Sequence, residues 1–344
     1  MKNIKLIRST HICEKILFLD GLTGTGKTML TSIINSFKRV ELGRLEHIYE
    51  YLCILDYLKK MDPDASKYMT RMYADLAIYD SMISRETNFR FNDLSGAFSS
   101  PGGLKYVKRL FYKDGNVVLD RIQKEKPILH IISHQALGAM DLAFRTFGEQ
   151  LRVIEMARHP LFLLEHWHSY IDRHGKDSRD FTIWINYKKQ ALPWFSTGWE
   201  EKYIKSTSFD RVIYSIEWLS NKVNEFYTSL NKDRKKQILF IPFEKFVLNP
   251  EPYLKAISEL LETEITNKTR KALKKQKCPR KVTLAGPAKE IYRKYGWKKP
   301  EKDATEKVLI KQKTEYAEKM ASKSALEVLE KLSKDYEKKY GLWF

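Results

Sequence analysis

The stretch LFLDGLTGTGKTML (residues 17–30) constrains the chain more than any other, because it dictates a strand, a tight loop and a helix in that order. Gly21 to Thr28 read GLTGTGKT, a full match to the phosphate-binding spacing G-x-x-x-x-G-K-[ST]. Ile16, Leu17, Phe18 and Leu19 form an apolar run that breaks at Asp20-Gly21, as a buried parallel strand does on entering a turn. Leu30, Ile33, Ile34 and Phe37 recur at helical spacing, so the loop opens into a helix. Gly21, Gly24 and Gly26 allow the backbone to turn its N–H groups toward one anion, and the helix N-terminus adds partial positive charge. Lys27 supplies a full charge. Thr28 can ligate Mg²⁺, as in ATP and GTP enzymes, or donate its hydroxyl directly to a phosphate oxygen.

A chain of 344 residues with 43% hydrophobic residues can build one large domain or two ordinary ones. Cys13, Cys53 and Cys278 are too scattered for a zinc site or a C-x-x-C pair, so three buried free thiols in a reducing compartment are expected. Charges interrupt every apolar stretch of the opening MKNIKLIRSTHICEK, which leaves no signal-peptide core or membrane helix and implies a cytoplasmic protein. The net charge is +19, and it is uneven: from Glu264 onward 23 basic residues stand against 11 acidic ones. Such a surface attracts polyanions. The final stretch nevertheless alternates Lys with Glu, as a salt-bridged amphipathic helix does, and lacks the interleaved aromatics of nucleic-acid readers.

Residues 44–90 carry helical patterns suited to walling a pocket, and Arg85 to Gly103 read as a long surface loop. Val117–Asp120 imitates the strand-plus-Asp that orders Mg²⁺ in nucleotide enzymes, but its charged surroundings suit a short helix. Ile128–Ile132 and Leu151–Ala157 are apolar runs stopped by Ser133-His134 and Arg158-His159-Pro160, with a helical pattern between them. Strand, helix, strand implies a parallel sheet with right-handed crossovers, whose ligands bind beyond the carboxyl ends of the strands. His134 and Arg158 fall there, on the edge that carries the loop. Ile238–Phe243 supplies a further strand, followed by Glu244 and a helix opening near Pro252.

ILHIISHQAL, LRVIEMARHPLFLLEHWHSY and ILFIPFEKFVLNPEPYLKAISELLE, in that order behind the loop, resemble the sulfotransferases that use 3′-phosphoadenosine 5′-phosphosulfate (PAPS). The resemblance spans roughly residues 15 to 262. It implies that Gly21, Thr23, Gly24, Thr25, Gly26, Lys27 and Thr28 bind the 5′-phosphosulfate, and that Arg158 contacts the 3′-phosphate through a charge-assisted fork. His134 then takes the acceptor's proton, a task suited to an imidazole, while Lys27 and the loop amides stabilise the departing phosphate. The irregular basic stretch Cys278–Pro287 resembles the segment that closes over the 3′-phosphate, which nominates Arg280. Three positions depart from the family. Gly24 stands where its loop has lysine, Lys27 lies where a nucleotide kinase has its own, and Ile132 replaces a lysine two residues before the histidine. His166 occupies a position eight residues after Arg158 that often holds serine, with Ser169 one turn away.

The expected architecture is α/β: a three-layer P-loop-type fold with a central parallel sheet flanked by helices and a helical C-terminal extension. Residues 1–262 form the sulfotransferase-like unit, 44–126 its acceptor side, and 263–344 a basic, mainly helical part on the same domain. No metal site is expected for sulfuryl transfer. Two other readings remain open: a P-loop kinase or other ATP-dependent enzyme, in which Asp20 or Asp120 reaches Mg²⁺ beside Thr28, and a basic polyanion-binding protein without catalysis. The acceptor, whether glycan, lipid or small molecule, is not specified by these motifs.

Overall fold

The computed structural model describes residues 4–91, 93, 95–287, 293, 299–301 and 304–342; part of the basic stretch 263–344 therefore lies outside the described residues. The frame is a parallel sheet in the order β2-β3-β1-β4-β7, built from β1 (Ile16–Gly21), β2 (Arg44–Leu45), β3 (Leu129–Ile132), β4 (Leu151–Ala157) and β7 (Ile238–Pro242). β1 lies at the centre, with Ile16 opposite both Leu129 and Leu151. Strand side chains alternate between faces. Ile16, Phe18, Leu129, Ile131 and Val153 therefore point to one face, under the helices His47–Tyr57, Pro63–Ile83 and Asp141–Phe147. Leu17, Leu19, Ile154, Met156 and Ile241 point to the other, under Lys27–Ile34 and the helices Glu251–Leu261 and Asn267–Lys275. The result is three layers, helix on sheet on helix, as the sequence pattern implies.

A third apolar cluster, away from the sheet, holds the C-terminal helices. Leu164, Trp167, Phe209, Ile213 and Leu219 pack there with Ala317, Ala325 and Leu329 from helices Glu306–Met320 and Lys323–Tyr340. Polar ties fix the same contact: buried Glu244, just past β7, accepts hydrogen bonds from the His159 amide (3.1 Å) and the Tyr336 hydroxyl (2.6 Å).

β1, β3, β4 and β7 occupy their expected places, except that Ile128 forms a bridge with Val40 instead of opening β3. Val117–Asp120 lies in helix Asn116–Glu125, as its charged context implies. The region 44–90 is not all helix. It opens with β2, a strand of two residues that is too short to show any period and is defined only by pairing Arg44 and Leu45 with Ile131 and Ile132. An antiparallel hairpin, β5 (Trp184–Tyr187) with β6 (Gln190–Pro193), was also not foreseen. All three cysteines are buried free thiols, and burial pushes Cys13 and Cys53 up to about 12. Among the described residues no helix is long and apolar enough to cross a membrane.

The edge strand β2 is held by charge. Glu41, just before it, is buried and takes hydrogen bonds from Arg109 (2.6 and 3.1 Å), Lys105 (3.2 Å) and the Tyr106 hydroxyl (2.9 Å). Burial by itself would raise the Glu41 carboxyl, but Lys105 and Arg109 overcome it and lower it. Removing one partner strands the other charge in the interior, whereas replacing both by apolar groups need not. Arg109→Ala is therefore expected to cost roughly 3–5 kcal/mol in urea unfolding, and the pair Glu41→Leu with Arg109→Met to regain most of it.

Candidate functional site

The glycine-rich loop emerges from β1 and carries the chain directly into helix Lys27–Ile34. Gly24 (φ 91°) and Gly26 (φ 98°) adopt left-handed backbone that other residues resist. At Gly26 a β-carbon would also meet the Phe243 ring at 2.6 Å. Lys27 is buried, and its ammonium donates to the carbonyls of Gly21 and Leu22, the latter at 3.0 Å. Burial lowers its pKa, while Asp20, Glu155 and Glu50 oppose the shift. Thr28 is exposed on the cavity wall. Thr25 turns inward, its hydroxyl donating to the Leu22 carbonyl (2.8 Å), and Gly21 lies so close to the Met156 carbonyl that no side chain fits. Those two shape the loop and do not line the cavity.

Beyond the carboxyl ends of the strands lies a cavity of about 1040 Å³. Thr23, Gly24, Gly26, Lys27 and Thr28 form one wall, with His134, Arg158, His166 and Arg280 around them. Arg158 donates to the Gly24 carbonyl (2.7 Å) and lies 4.6 Å from the Phe243 ring centre; its buried Nε has no hydrogen-bond partner among the described residues. Arg280 lies 5.6 Å from the same ring and donates to the Thr283 carbonyl (2.7 Å). Two guanidinium groups thus share one aromatic ring, and the charge of Arg280 adds to burial in lowering the pKa of Arg158. Such a pair suits a dianion. Ser169 lies in helix Leu164–Ile171 outside the cavity lining, where its carbonyl accepts from Arg173 (2.8 Å).

His166 explains Gly24. Its ring packs over the glycine so closely that an added β-carbon would come within 3.3 Å of Nδ1. Burial first, then the charge of Arg158, lower His166 to about 3, so a neutral imidazole faces the loop at neutral pH.

His134 stands just past β3 and is clasped by Glu50 from helix His47–Tyr57. One Glu50 oxygen accepts from the His134 amide (2.8 Å) and meets its Nδ1 (3.0 Å), and the other lies 3.3 Å from the Nδ1 of His47. Burial would raise the Glu50 carboxyl, but His134 and then His47 outweigh it and hold it at about 2. The carboxylate thus fixes the proton on Nδ1 of His134 and leaves Nε2 as the basic nitrogen. His130, deeper in the strand, is fully buried against Asn35 (2.9 Å) and lowered to about 3 by burial alone.

Sequence reasoning missed Glu50 and His47. The i, i+3 spacing in HIYEYLC was their signal, but it gains meaning only when β2 places the helix beside β3. Three ligand-type atoms of His47, Glu50 and His134 lie within 4.8 Å of one another, and the direct imidazole–carboxylate hydrogen bonds account for that closeness. Asp20 turns away from Thr28. Its oxygens take the Ser133 hydroxyl and the amides of Ala136 and Leu137 (2.6–2.9 Å). Asp120 is exposed on helix Asn116–Glu125 and does not line the cavity.

No protein-family model matches the chain, and no curated protein does. Among solved structures it is similar to a sulfotransferase domain of the Synechococcus PCC 7002 olefin synthase, with 11% identity, a TM-score of 0.40, and 92% of this chain and 98% of that one covered. A sulfotransferase domain from the curacin biosynthetic pathway gives 10%, 0.39, 80% and 81%. Mouse sulfotransferase SULT7A1, solved with PAP, gives 12%, 0.33, 94% and 94%.

The clasp has a definite pH signature. Glu50 is held below its ordinary 4.5, so its contribution to stability is present above that value and is lost as pH falls toward about 2. His47 is raised above 6.5, first by its hydrogen bond to Glu50, so its contribution is present below 6.5 and fades as pH rises through the raised value. The melting-temperature difference between wild type and Glu50→Gln should therefore be largest between about pH 5 and 6.5 and shrink on both sides. Calorimetric scans across pH would read it, and a difference independent of pH would contradict the clasp.

Proposed function

We propose that this chain is a sulfotransferase that moves a sulfuryl group from PAPS to a hydroxyl or amine. The observation that carries the reading is one cavity in which an anion-shaped loop and a paired arginine site meet a histidine made basic at one nitrogen by Glu50. The fold is then of P-loop type, with residues 1–262 as its body and 263–344 completing the same unit through Arg280 and the C-terminal helices. Three buried thiols fit a cytoplasmic setting.

The residues divide the work. Amides of Gly24, Gly26, Lys27 and Thr28 and the Thr28 hydroxyl receive the 5′-phosphosulfate, and Lys27 turns from its own loop carbonyls to that anion. Arg158 and Arg280 take the 3′-phosphate, whose two charges relieve their mutual repulsion. Bound there, PAPS supplies a sulfuryl group on a phosphate leaving group. Nε2 of His134 accepts the acceptor's proton as the acceptor oxygen or nitrogen bonds to sulfur. The bond from sulfur to the bridging phosphate oxygen breaks, and its electron pair stays on that oxygen. Lys27 and the loop amides stabilise the charge that gathers there.

The kinase reading needs a carboxylate on Mg²⁺ near Thr28, and both candidates are placed elsewhere: Asp20 serves the 133–137 turn, and Asp120 lies on a distant helix. Calorimetric titration with adenosine 3′,5′-bisphosphate and with Mg-ATP in parallel tests the choice. Tight binding of the bisphosphate, unaffected by EDTA, is expected; selective Mg-ATP binding would overturn the proposal. Lys27→Ala should weaken the bisphosphate while the chain still folds, because the Lys27 ammonium is the full positive charge at the loop. His134→Ala should lower turnover by roughly 10²–10⁴ with bisphosphate affinity retained, since proton removal matters only in the transition state.

A further inference from the structure

We propose that His47 is a positioning residue that acts through Glu50: a proton on His47 offsets the buried carboxylate and weakens its pull on the proton of His134. The inference rests on the reading of His134 as the proton acceptor.

The physical problem is an imbalance. A carboxylate bonded to Nδ1 selects the right tautomer of His134, but its full negative charge also favours the protonated ring, which cannot accept a proton. In the site Glu50 divides its two oxygens, one to each histidine, at 3.0 and 3.3 Å. The two rings lie nearly parallel, with centres 6.2 Å apart and planes 21° from each other. A cation on His47 therefore acts on His134 across a short, partly buried gap, opposing the pull of Glu50. His47 is itself disposed to carry that proton, since Glu50 raises it. Glu46, which is paired with Arg44 (2.7 Å), also favours the charged ring, and Glu50 itself faces the buried ammonium of Lys27 as well. Tyr51 and Phe181 flank the outer side of the His47 ring at 5.9 and 5.8 Å and hold it in place. Two imidazoles thus share one carboxylate, and a proton gained by either lowers the affinity of the other for its own.

His47→Gln keeps a hydrogen-bond donor and removes the charge; His47→Lys keeps a charge and removes the ring. In the full-length chain without nucleotide, NMR titration of the imidazole resonances of His134 should move up by about 0.5–1 pH unit in His47→Gln, and back toward wild type in His47→Lys. With PAPS and an acceptor, the acidic limb of the pH–rate profile should follow, so that turnover at pH 6 falls about 3–10-fold in His47→Gln while the high-pH plateau changes little. A purely structural His47 would alter the melting temperature of both variants without moving either titration, and that result overturns the proposal. So would stoichiometric zinc in the purified protein that His47→Gln removes, because the cluster would then be a metal site. The NMR shift in a chain that transfers no sulfuryl group would uphold the coupling and refute the sulfotransferase reading.

Discussion

The ammonium of Lys27 is largely buried at the edge of the cavity, and most of the site is arranged around that fact. A buried cation needs oxygen ligands and compensating charge. It takes the first from the carbonyls of Gly21 and Leu22 and the second from Asp20, Glu155 and Glu50. Asp20 and Glu155 are register partners on β1 and β4, and burial raises both carboxyls, Glu155 well above its ordinary value, so the central strands offset the cation only in part. Glu50 belongs to a different layer and reaches the same region through its clasp on His134. The loop, the sheet and the helix after β2 are thereby parts of one electrostatic unit, and an anion entering the loop competes for a cation that is already held.

The packing around Gly24 decides where the cations of the loop stand. A side chain at position 24 would have to adopt left-handed backbone, and its β-carbon would come within 3.3 Å of the His166 ring. Gly24 and His166 are thus packed as a pair. With position 24 a glycine, the positive charge comes from Lys27 at the helix start and from Arg158, which is anchored on the Gly24 carbonyl. His166, lowered to about 3, adds bulk beside the loop and no charge near neutral pH.

The parts of the fold legible in the sequence were those with local causes. β1, β3, β4 and β7 are apolar runs closed by turn residues, and the loop glycines announce their own geometry. From these, the carboxyl edge of the sheet and the approach of His134 and Arg158 followed directly. β2 was not legible because two residues carry no periodicity; Arg44 and Leu45 are strand only because β3 lies beside them. Glu50 and His47 were hidden for the same reason, since a Glu on a helix is ordinarily a solvated charge and becomes a clasp only through a neighbour 84 positions away. Ser169, nominated by the resemblance as one turn from His166, lies in helix Leu164–Ile171 and does not line the cavity.

The balance of charge in the cavity finally separates two chemistries that share the same loop. A triphosphate gathers charge on adjacent phosphates, and P-loop enzymes answer it with a metal held by a carboxylate beside the loop. Here the carboxylate at the end of β1 is spent on the Ser133 hydroxyl and on the amides of Ala136 and Leu137. The fixed cations are instead divided: Lys27 lies at the loop, while Arg158 and Arg280 meet across Phe243. A ligand with two separate anionic groups meets both places at once, whereas a linear triphosphate at the loop engages only the first. The proton acceptor points to the same division of labour. A base held in one tautomer by a buried carboxylate suits an acceptor that must lose its proton as the new bond forms, and in the proposed reaction the loop beside it stabilises the leaving phosphate.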